Sequence, residues 1–296
     1  MNVNDSKTNL SISSAGTVTL GGELTVRRLG YGAMRITGPG IWGPPKDRPG
    51  ALAVLRRAVE LGVNFIDTAD SYGPNVSEEL IAEALYPYQK DLVIATKGGW
   101  KRTGPGDWTH NATPAHLRQA VEGSLKRLRL ERIDLYQLHI PDPMVAFEAS
   151  LGALVEMQAQ GKIRLIGLSN VTQEHIERAR KVVPIVSVQN RYSFADREWD
   201  YVVNYCEKHS IAFIPWFPLA AGQAAMAAVE RIAKAHSATA MQVALAWLLR
   251  RSPVILPIPG TTSVAHLEEN VKGAWLQLSQ AEFDELAGVE ELVFSR

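Results

Sequence analysis

The sequence predicts an α/β protein, a (β/α)8 TIM barrel with an N-terminal β-hairpin and extra C-terminal helices. Short apolar runs alternate with longer amphipathic segments from about residue 29 onward, which is typical of parallel βαβ units. Eight such units in about 260 residues suit a closed barrel better than an open sheet. The eight runs are RLGYGAM, VNFID, DLVIATK, IDLYQLH, IRLIGLSN, PIVSVQN, IAFIPW and PVILPIPG.

A doubly wound dinucleotide-binding fold is the main alternative, and the sequence argues against it. That fold needs a G-x-G-x-x-G motif at the start of a helix. The nearest candidate, GYGAMR at residues 30–35, lacks the third glycine and runs into ITGPGIWGPP, which cannot form a helix.

The remaining elements follow from local signals. GTVTLGGELTV predicts a hairpin with Gly21-Gly22 at its turn, placed to cover the bottom of the barrel. Thr113 and Pro114 are typical of a helix N-cap and first position. We expect residues 1–14 to be a disordered leader and residues 15–296 to form a single domain. The predicted amphipathic helices include RPGALAVLRRAVELG, TPAHLRQAVEGSLKRLRL, TQEHIERARKVV and REWDYVVNYCEKHS.

Composition excludes several classes of protein. The 296 residues include 31 Lys+Arg and 31 Asp+Glu, a balance that argues against nucleic-acid or membrane-surface partners. Cys206 is the only cysteine, which fits a reducing compartment, and the polar N-terminus does not resemble a signal peptide. No apolar stretch is long enough to span a membrane. We expect a cytoplasmic protein with a small-molecule partner and no metal, and composition does not determine the oligomeric state.

Polar side chains stand where the expected strands end. Because an active site of this architecture lies at the carboxyl ends of the strands, these residues should converge on one rim. Taken singly, Asp67 and Asp70 are also ordinary loop formers after a strand, and a strand-end histidine is often structural. The end residues are Asp67, Lys97, His139, Ser169-Asn170, Gln189-Asn190 and Trp216.

Tyr72 follows Asp67 by five residues, and this group can act as a general acid. A nearby Lys97 ammonium would lower the pKa of Tyr72, and Asp67 would keep Lys97 charged. Neutral His139 would orient a substrate oxygen that gains negative charge, as in the reduction of a carbonyl. Ser169, Asn170 and Gln189 would bind the carboxamide of a nicotinamide, and Trp216 would stack on its ring. A turn Ser-Asn and a core tryptophan are the alternative interpretations.

The sequence resembles the aldo-keto reductases over nearly its whole length. The resemblance implies a barrel that reduces aldehydes and ketones with NADPH. It also implies that Tyr72 is the proton donor, that Lys97 and Asp67 tune it, and that His139 orients the substrate. The motifs that carry it are NFIDTADSYG, VIATKGG, LYQLHIPDP, IGLSN, SVQNRYS and IPGTTSVAHLEEN.

The resemblance also implies a set of cofactor-binding residues. Many members of the family have a lysine and an arginine that hold the 2′-phosphate of NADPH, but here Gly260 and His266 take those positions. We expect hydroxyls and amides of residues 260–263, with protonated His266, to bind the phosphate, so that NADPH is preferred and NAD is possible. The implied residues are Gly32, Met34, Asp67, Ser169, Asn170, Gln189, Trp216, Phe217, Pro218, Leu219, Gly222, Ile258, Gly260, Thr261, Thr262, His266, Glu269 and Asn270.

Long insertions after the first and third strands should overhang the site and select the substrate. Their aromatic residues predict a pocket for a ring, and the loop pattern is similar to that of bacterial pyridoxal-reducing members, which suggests an aromatic aldehyde. Anchoring of the loops is the alternative role. The expected pocket residues are Met34, Trp42, Trp100 and Trp108.

Two other functions are alternatives to the reductase. A nicotinamide-binding sensor or regulatory subunit of the same fold would bind cofactor but turn over little, and it would not need Tyr72 beside Lys97. A phosphate-binding barrel isomerase would need a carboxylate base and no site for nicotinamide. The tetrad of Asp67, Tyr72, Lys97 and His139 favours the enzyme.

Overall fold

The strands at the centre of the molecule form one parallel sheet. A computed structural model of the chain describes residues 11–217 and 223–288. The strands are β1 (Thr17–Leu20), β2 (Leu24–Arg27), β3 (Tyr31–Gly32), β4 (Phe65–Asp67), β5 (Val93–Gly98), β6 (Trp100–Lys101), β7 (Thr109–His110), β8 (Ile133–Leu138), β9 (Ile163–Ser169), β10 (Ile185–Gln189) and β11 (Ala212–Phe213). Seven of them pair in the order β11-β10-β9-β8-β5-β4-β3, and two short hairpins, β1-β2 and β6-β7, lie outside this sheet.

Helices connect the strands of the sheet and continue after the last of them, as predicted. They are α1 (Arg48–Glu60), α2 (Val76–Leu85), α3 (Pro114–Leu128), α4 (Phe147–Ala159), α5 (Gln173–Arg180), α6 (Asp200–Lys208), α7 (Gln223–Ala235), α8 (Ala240–Arg251), α9 (Val264–Lys272) and α10 (Gln280–Gly288). Thr113 caps α3 by accepting a hydrogen bond from the backbone N–H of His116, and Pro114 is the first helical residue. In the described part of the chain, no helix is both long and apolar enough to cross a membrane.

The eighth predicted strand, PVILPIPG, joins the two edges of the sheet. On one side the Leu256 N–H donates to the Phe213 carbonyl, at 2.8 Å. On the other side the Gly30 N–H donates to the Pro257 carbonyl, also at 2.8 Å. The curled sheet is therefore closed by backbone hydrogen bonds, in agreement with the predicted barrel.

This eighth segment is not a regular strand, which corrects the sequence-based expectation. It has a single isolated bridge, between Ile255 and Phe213. Its three prolines, at 253, 257 and 259, have no N–H to donate, so a continuous ladder cannot form.

Two glycines allow the first and last barrel segments to meet. A Cβ atom on Gly32 would lie 2.6 Å from the Ile258 carbonyl oxygen, and one on Gly260 would lie 2.6 Å from the Gly32 oxygen. Any side chain at either position would push the two backbones apart. Packing therefore requires glycine at both positions, independently of any role in binding.

The predicted N-terminal hairpin is present, with Gly21-Gly22 between β1 and β2. Leu20 and Val26 are fully buried against the lower interior of the barrel, where Phe65, Leu135 and Leu165 also pack. The hairpin therefore covers this end of the barrel interior.

The last residues of the expected leader, 11–14, lie within the described part of the chain. Residues 11–14, which were predicted to be disordered, belong to a segment that contains a 3-10 helix, Ile12–Ala15. Ile12 is fully buried, and its N–H donates to the Leu61 carbonyl at 3.2 Å. An isoleucine in a polar leader can anchor it in this way because its burial removes apolar surface from water.

Candidate active site

A cavity of about 710 Å³ opens at the carboxyl ends of the strands. Its volume lies within the range of cofactor and substrate sites in proteins. Most of the residues predicted from the strand ends converge on it, as the barrel geometry requires. The predicted residues that line it are Gly32, Met34, Asp67, Tyr72, Trp100, Trp108, His139, Ser169, Asn170, Gln189, Trp216, Phe217, Ile258 and Gly260.

Lys97 is fully buried behind the cavity wall, at the end of β5. Its Nζ donates to Asp67 Oδ2 at 2.7 Å, to the Thr68 carbonyl at 2.9 Å and to Tyr72 Oη at 3.4 Å. An ammonium group has three donors, and each of them has an acceptor here. The geometry thus fixes the lysine in one position, with the Tyr72 hydroxyl between it and the cavity.

The second oxygen of Asp67 is also bonded. Oδ1 accepts hydrogen bonds from Gln189 Nε2 at 2.8 Å and from Gln137 Nε2 at 3.3 Å. Gln189 was expected to bind a cofactor carboxamide, whereas its amide nitrogen is engaged by Asp67. Gln137 was not predicted, although it lies two residues before His139 on an expected strand.

The pKa of Tyr72 differs from the expectation. Burial raises it above the usual value, and the Lys97 ammonium opposes this only in part. The predicted lowering of the Tyr72 pKa is therefore wrong, because the loss of solvent around the phenolate outweighs one nearby cation. Burial lowers the pKa of Lys97, but the combined effect of Asp67 and Tyr72 is larger and raises it, so the net shift is upward. At neutral pH the pair is a phenol beside an ammonium.

His139 follows β8 and faces Tyr72 across the cavity. The two rings meet edge to face, with centroids 5.8 Å apart, and Ser71 Oγ lies 3.5 Å from His139 Nδ1. Burial, with a further contribution from Lys97, holds the pKa of His139 well below its usual value. The imidazole is neutral, as expected from the sequence.

A second ion pair, with a fully buried carboxylate and a partly exposed arginine, supports β5. Glu78 on α2 is fully buried, accepts a hydrogen bond from Thr96 Oγ1 at 2.5 Å and pairs with Arg127 Nε at 2.6 Å. Thr96 precedes Lys97, so this pair ties the strand that carries the lysine to α2 and α3. No local pattern in the sequence indicates it, since the partners are 49 residues apart.

The predicted nicotinamide residues form one side of the cavity. Asn170 Nδ2 donates to the His139 carbonyl at 3.0 Å and to Ser169 Oγ at 3.1 Å. Asn170 has φ 55°, a left-handed conformation that asparagine tolerates better than most residues. Trp216 and Phe217 line the same cavity and meet edge to face, with ring centroids 5.7 Å apart. Pro218, Leu219 and Gly222 lie outside the described residues.

The predicted phosphate loop lies beyond the cavity wall. Gly260 lines the cavity, but Thr261, Thr262, His266, Glu269 and Asn270 do not. Ser263 caps α9 by accepting from the His266 N–H at 3.4 Å, and the Ser263 N–H donates to Thr261 Oγ1 at 3.1 Å. His266 is exposed, and Asn270 is buried. Two of the loop amides are therefore already engaged within the loop.

Of the four expected pocket residues, three line the cavity and one does not. Trp100 and Trp108 pack edge to face with centroids 5.7 Å apart, and Met34 also lies on the wall. Trp42 is absent from the lining, and its backbone instead bridges that of Gly73. Trp42 therefore anchors its loop, which is the alternative role given above for these aromatic residues.

Several cavity residues were not predicted from the sequence. Arg35 is exposed on the wall next to Gly260, with its Cγ 3.5 Å from where a Cβ atom at that glycine would stand. This cation directly follows the first strand run, RLGYGAM, but no local pattern places it beside residue 260. The others are Ile41, Ile140, Met241 and Pro259.

Comparison with known proteins agrees with this geometry. The profile of the Aldo/keto reductase family matches residues 28–291. The chain belongs to the aldo/keto reductase family. This confirms the resemblance seen in the motifs and the prediction of an oxidoreductase.

Two curated relatives of this aldo-keto reductase are similar over almost all of the chain. An uncharacterized oxidoreductase of Schizosaccharomyces pombe is 51% identical over 276 residues, covering 93% of this chain and 90% of the relative. Pyridoxine 4-dehydrogenase of Escherichia coli is 46% identical over 283 residues, covering 93% and 99%.

Solved structures of similar proteins support the fold. A thermostable aldo-keto reductase in complex with the inhibitor epalrestat matches with a TM-score of 0.81 and 32% identity, covering 92% of this chain and 99% of that one. An aldo-keto reductase from Klebsiella pneumoniae in complex with NADPH matches with a TM-score of 0.76 and 25% identity, covering 93% and 96%. The predicted TIM barrel is confirmed.

The buried ion pair of this aldo-keto reductase predicts a specific pattern of stability. Lys97→Met should lower the free energy of unfolding by about 3–5 kcal/mol, because it leaves the Asp67 carboxylate buried without its cation. Asp67→Asn combined with Lys97→Met should recover most of that loss, since an uncharged amide oxygen can still accept from Gln137 and Gln189. Urea denaturation followed by fluorescence measures both values.

The control is Lys162→Met, which removes a lysine from a partly exposed pair with Glu122. Its expected cost is at most about 1 kcal/mol. Additive losses in the Asp67 and Lys97 double variant would show that the two side chains do not depend on each other.

Proposed function

We propose that the protein reduces the carbonyl group of aldehydes and ketones to an alcohol with NADPH, with Tyr72 as the proton donor. The observation that carries the proposal is the position of Tyr72 Oη on the cavity wall, 3.4 Å from the buried ammonium of Lys97. A group that only binds a cofactor gains nothing from this arrangement, whereas an acid that must give up a proton does.

The residues on the cavity wall fit a nicotinamide cofactor. Ser169 and Asn170 supply polar groups to the cavity that Trp216 also lines, and Gly32 and Gly260 belong to the same lining. A bound NADPH would supply the hydride. The Klebsiella pneumoniae neighbour was crystallised with NADPH, which supports the same cofactor here.

Proton transfer follows from the positions of the side chains around Tyr72. The proton leaves Tyr72 Oη for the substrate oxygen as that oxygen gains negative charge. The phenolate that results faces the Lys97 ammonium, and Asp67, at 2.7 Å, holds this ammonium in place. When the Ser71 hydroxyl donates to His139 Nδ1, the ring proton is on Nε2, from which neutral His139 can donate to the same substrate oxygen.

The substrate we propose is an aldehyde on an aromatic ring, of the pyridoxal type. Trp100 and Trp108 give the cavity a pair of indole rings next to His139, and Ile41 and Ile140 add apolar surface. Flat rings pack well against such walls. The similarity to a relative named pyridoxine 4-dehydrogenase points to the same class of compound.

Tyr72→Phe tests the assignment of the proton donor. Carbonyl reduction should fall by a factor of about 10² or more, which is the usual contribution of a positioned acid. NADPH affinity should stay within about twofold of the wild type, since the ring and its packing against His139 are kept. Steady-state rates with pyridoxal and a fluorescence titration with NADPH measure the two quantities.

A control is Tyr201→Phe, which removes a phenol hydroxyl from an exposed side chain on α6. Wild-type protein that binds NADPH but reduces no aldehyde in a broad panel would favour the sensor function instead. Near-normal turnover in Tyr72→Phe would refute Tyr72 as the donor while leaving the reductase intact.

The pKa shifts predict the pH dependence of reduction. Tyr72 must be protonated, and because burial raises its pKa above the usual 10, activity should be lost only as pH rises through that higher value. His139 must be neutral, and because burial lowers its pKa below 6.5, activity should be lost only as pH falls below that range. The expected profile of kcat/KM is flat from about pH 7 to 9. A basic limb centred near pH ~8 would contradict the direction of the Tyr72 shift.

We expect His266 and Arg35 to have different effects on the affinities for NADPH and NADH. His266→Ala should reduce NADPH affinity but leave NADH affinity unchanged, because residue 266 stands at the loop proposed to hold the 2′-phosphate. Arg35→Ala should reduce both affinities alike, by about 10-fold, if this cation on the cavity wall binds the pyrophosphate that the two cofactors share.

Fluorescence titration with each cofactor gives the four affinities. His209→Ala, at the opposite end of the barrel, is the control. The preference for NADPH is the ratio of its affinity to that of NADH. If His266→Ala leaves this preference unchanged and Arg35→Ala abolishes it, the 2′-phosphate lies at Arg35 instead.

A further inference from the structure

We propose that Arg102 is a positioning residue that fixes the aromatic wall of the cavity and thereby gives the enzyme its preference for ring aldehydes. The inference rests on the proposed carbonyl reduction and identifies the residue that sets its substrate class. Arg102 follows β6 in the loop after β5, and only 9% of it is exposed.

The guanidinium of Arg102 joins three separate loops through backbone carbonyls. Nη1 donates to the Ser71 carbonyl at 3.0 Å, Nη2 donates to the Gly40 carbonyl at 3.0 Å, and Nε donates to the Asp107 carbonyl at 2.7 Å. Ser71 belongs to the loop after β4, Gly40 to the insertion after β3, and Asp107 to the insertion that contains Arg102 itself. The planar, forked guanidinium holds these three donors in fixed directions and leaves its flat face free to stack on a ring, which a lysine ammonium cannot do.

The flat face of the same group holds a cavity residue. The guanidinium carbon of Arg102 lies 3.7 Å from the centre of the Trp108 ring and 5.8 Å from that of Trp42. Stacking at 3.7 Å fixes the plane of the Trp108 indole. Trp108 in turn packs against Trp100, so the arginine determines where both indoles stand.

The carbonyls that Arg102 bonds are next to the reacting groups. Ser71 precedes Tyr72, and its hydroxyl approaches His139. The Gly40 loop contains Ile41, which lines the cavity and accepts a hydrogen bond from the Gly73 N–H at 3.3 Å. Arg102 is thus the one side chain in the described residues that bonds the loop of Tyr72, the loop of Ile41 and the loop of Trp108 together.

The hydroxyl of Tyr72 is held by Lys97, and the ion pair behind it does not depend on Arg102. Asp67 and Lys97 stand on β4 and β5, and their bonds do not involve Arg102. Loss of the guanidinium should therefore loosen the walls around the substrate more than the proton donor. A planar ring that packs against Trp108 depends on those walls, whereas a small aliphatic aldehyde does not.

The test compares two substrates in Arg102→Lys. The value of kcat/KM for pyridine-4-carbaldehyde should fall by about 10- to 100-fold, with most of the change in KM. The value for propanal should fall by less than about threefold, so the ratio of the two substrates drops about 10-fold or more. NADPH affinity, measured by fluorescence titration, should not change, because Arg102 does not line the nicotinamide side of the cavity.

A matched control comes from the other end of the barrel. Arg28 also bonds three backbone carbonyls, those of Ile255, Leu249 and Ser252, and none of these three residues lines the cavity. Arg28→Lys should lower the stability of the protein to a similar extent and leave the ratio of the two substrates unchanged. A ratio that falls equally in both variants would overturn the proposal, since it would show a general effect of lost stability.

Trp108→Leu provides the second variant, and it keeps Arg102. It should reproduce the loss of preference for the ring aldehyde, and Arg102→Lys combined with Trp108→Leu should lose little more than either change alone. Independent, multiplied losses would overturn the role of Arg102 in placing Trp108. Wild-type protein that reduces neither aldehyde would overturn the proposed function itself, whereas an active wild type with an unchanged ratio in Arg102→Lys would overturn only this inference.

Discussion

The buried ammonium of Lys97 is the group on which the rest of the site depends. A cation in the interior of a protein is costly unless each of its donors is bonded and a counter-charge is close. Asp67, Thr68 and Tyr72 meet this requirement, at 2.7, 2.9 and 3.4 Å. Tyr72 is therefore not placed beside the lysine by chance packing, because without its oxygen one ammonium donor would be unsatisfied.

The sheet supplies this geometry through a change from apolar to polar layers. Side chains of alternate residues on a barrel strand point inward, so Phe65 and Asp67 occupy successive interior layers, as do Ala95 and Lys97. The lower layer is apolar and is covered by the hairpin. In the upper layer, Gly167 leaves space, since a Cβ atom there would lie 2.1 Å from Ser187 Oγ and 3.0 Å from Gln137 Cγ. Both glutamines that bond Asp67 stand in this upper layer.

Features that depend on the strands could be predicted from the sequence, whereas features that depend on burial or on contacts between loops could not. The barrel, the hairpin and the convergence of Asp67, Lys97 and His139 depend on periodicity and on where strands end, and both are visible along the chain. The direction in which the pKa of Tyr72 shifts could not be predicted, because it depends on how completely the fold excludes water from the phenol. The three prolines of the eighth segment indicate that it is irregular, but the prediction of a strand there relied on its apolar pattern. Trp42 does not line the pocket, and Arg102 bonds Ser71 in another loop. Both facts depend on contacts between different loops, which no local pattern in the sequence reveals.

Strands and loops therefore carry different parts of the activity. Asp67 and Lys97 are held by neighbouring strands whose register pairs Asp67 with Ala95 and Lys97 with Gln137, so their distance is set by the sheet itself. The walls that face a substrate come from insertions, and their positions relative to one another depend on a few side-chain contacts such as those of Arg102. Changes in the insertions can then reshape the cavity without moving the Tyr72 hydroxyl away from Lys97. This separation explains how one barrel can keep a single acid–base arrangement and still accept different carbonyl compounds.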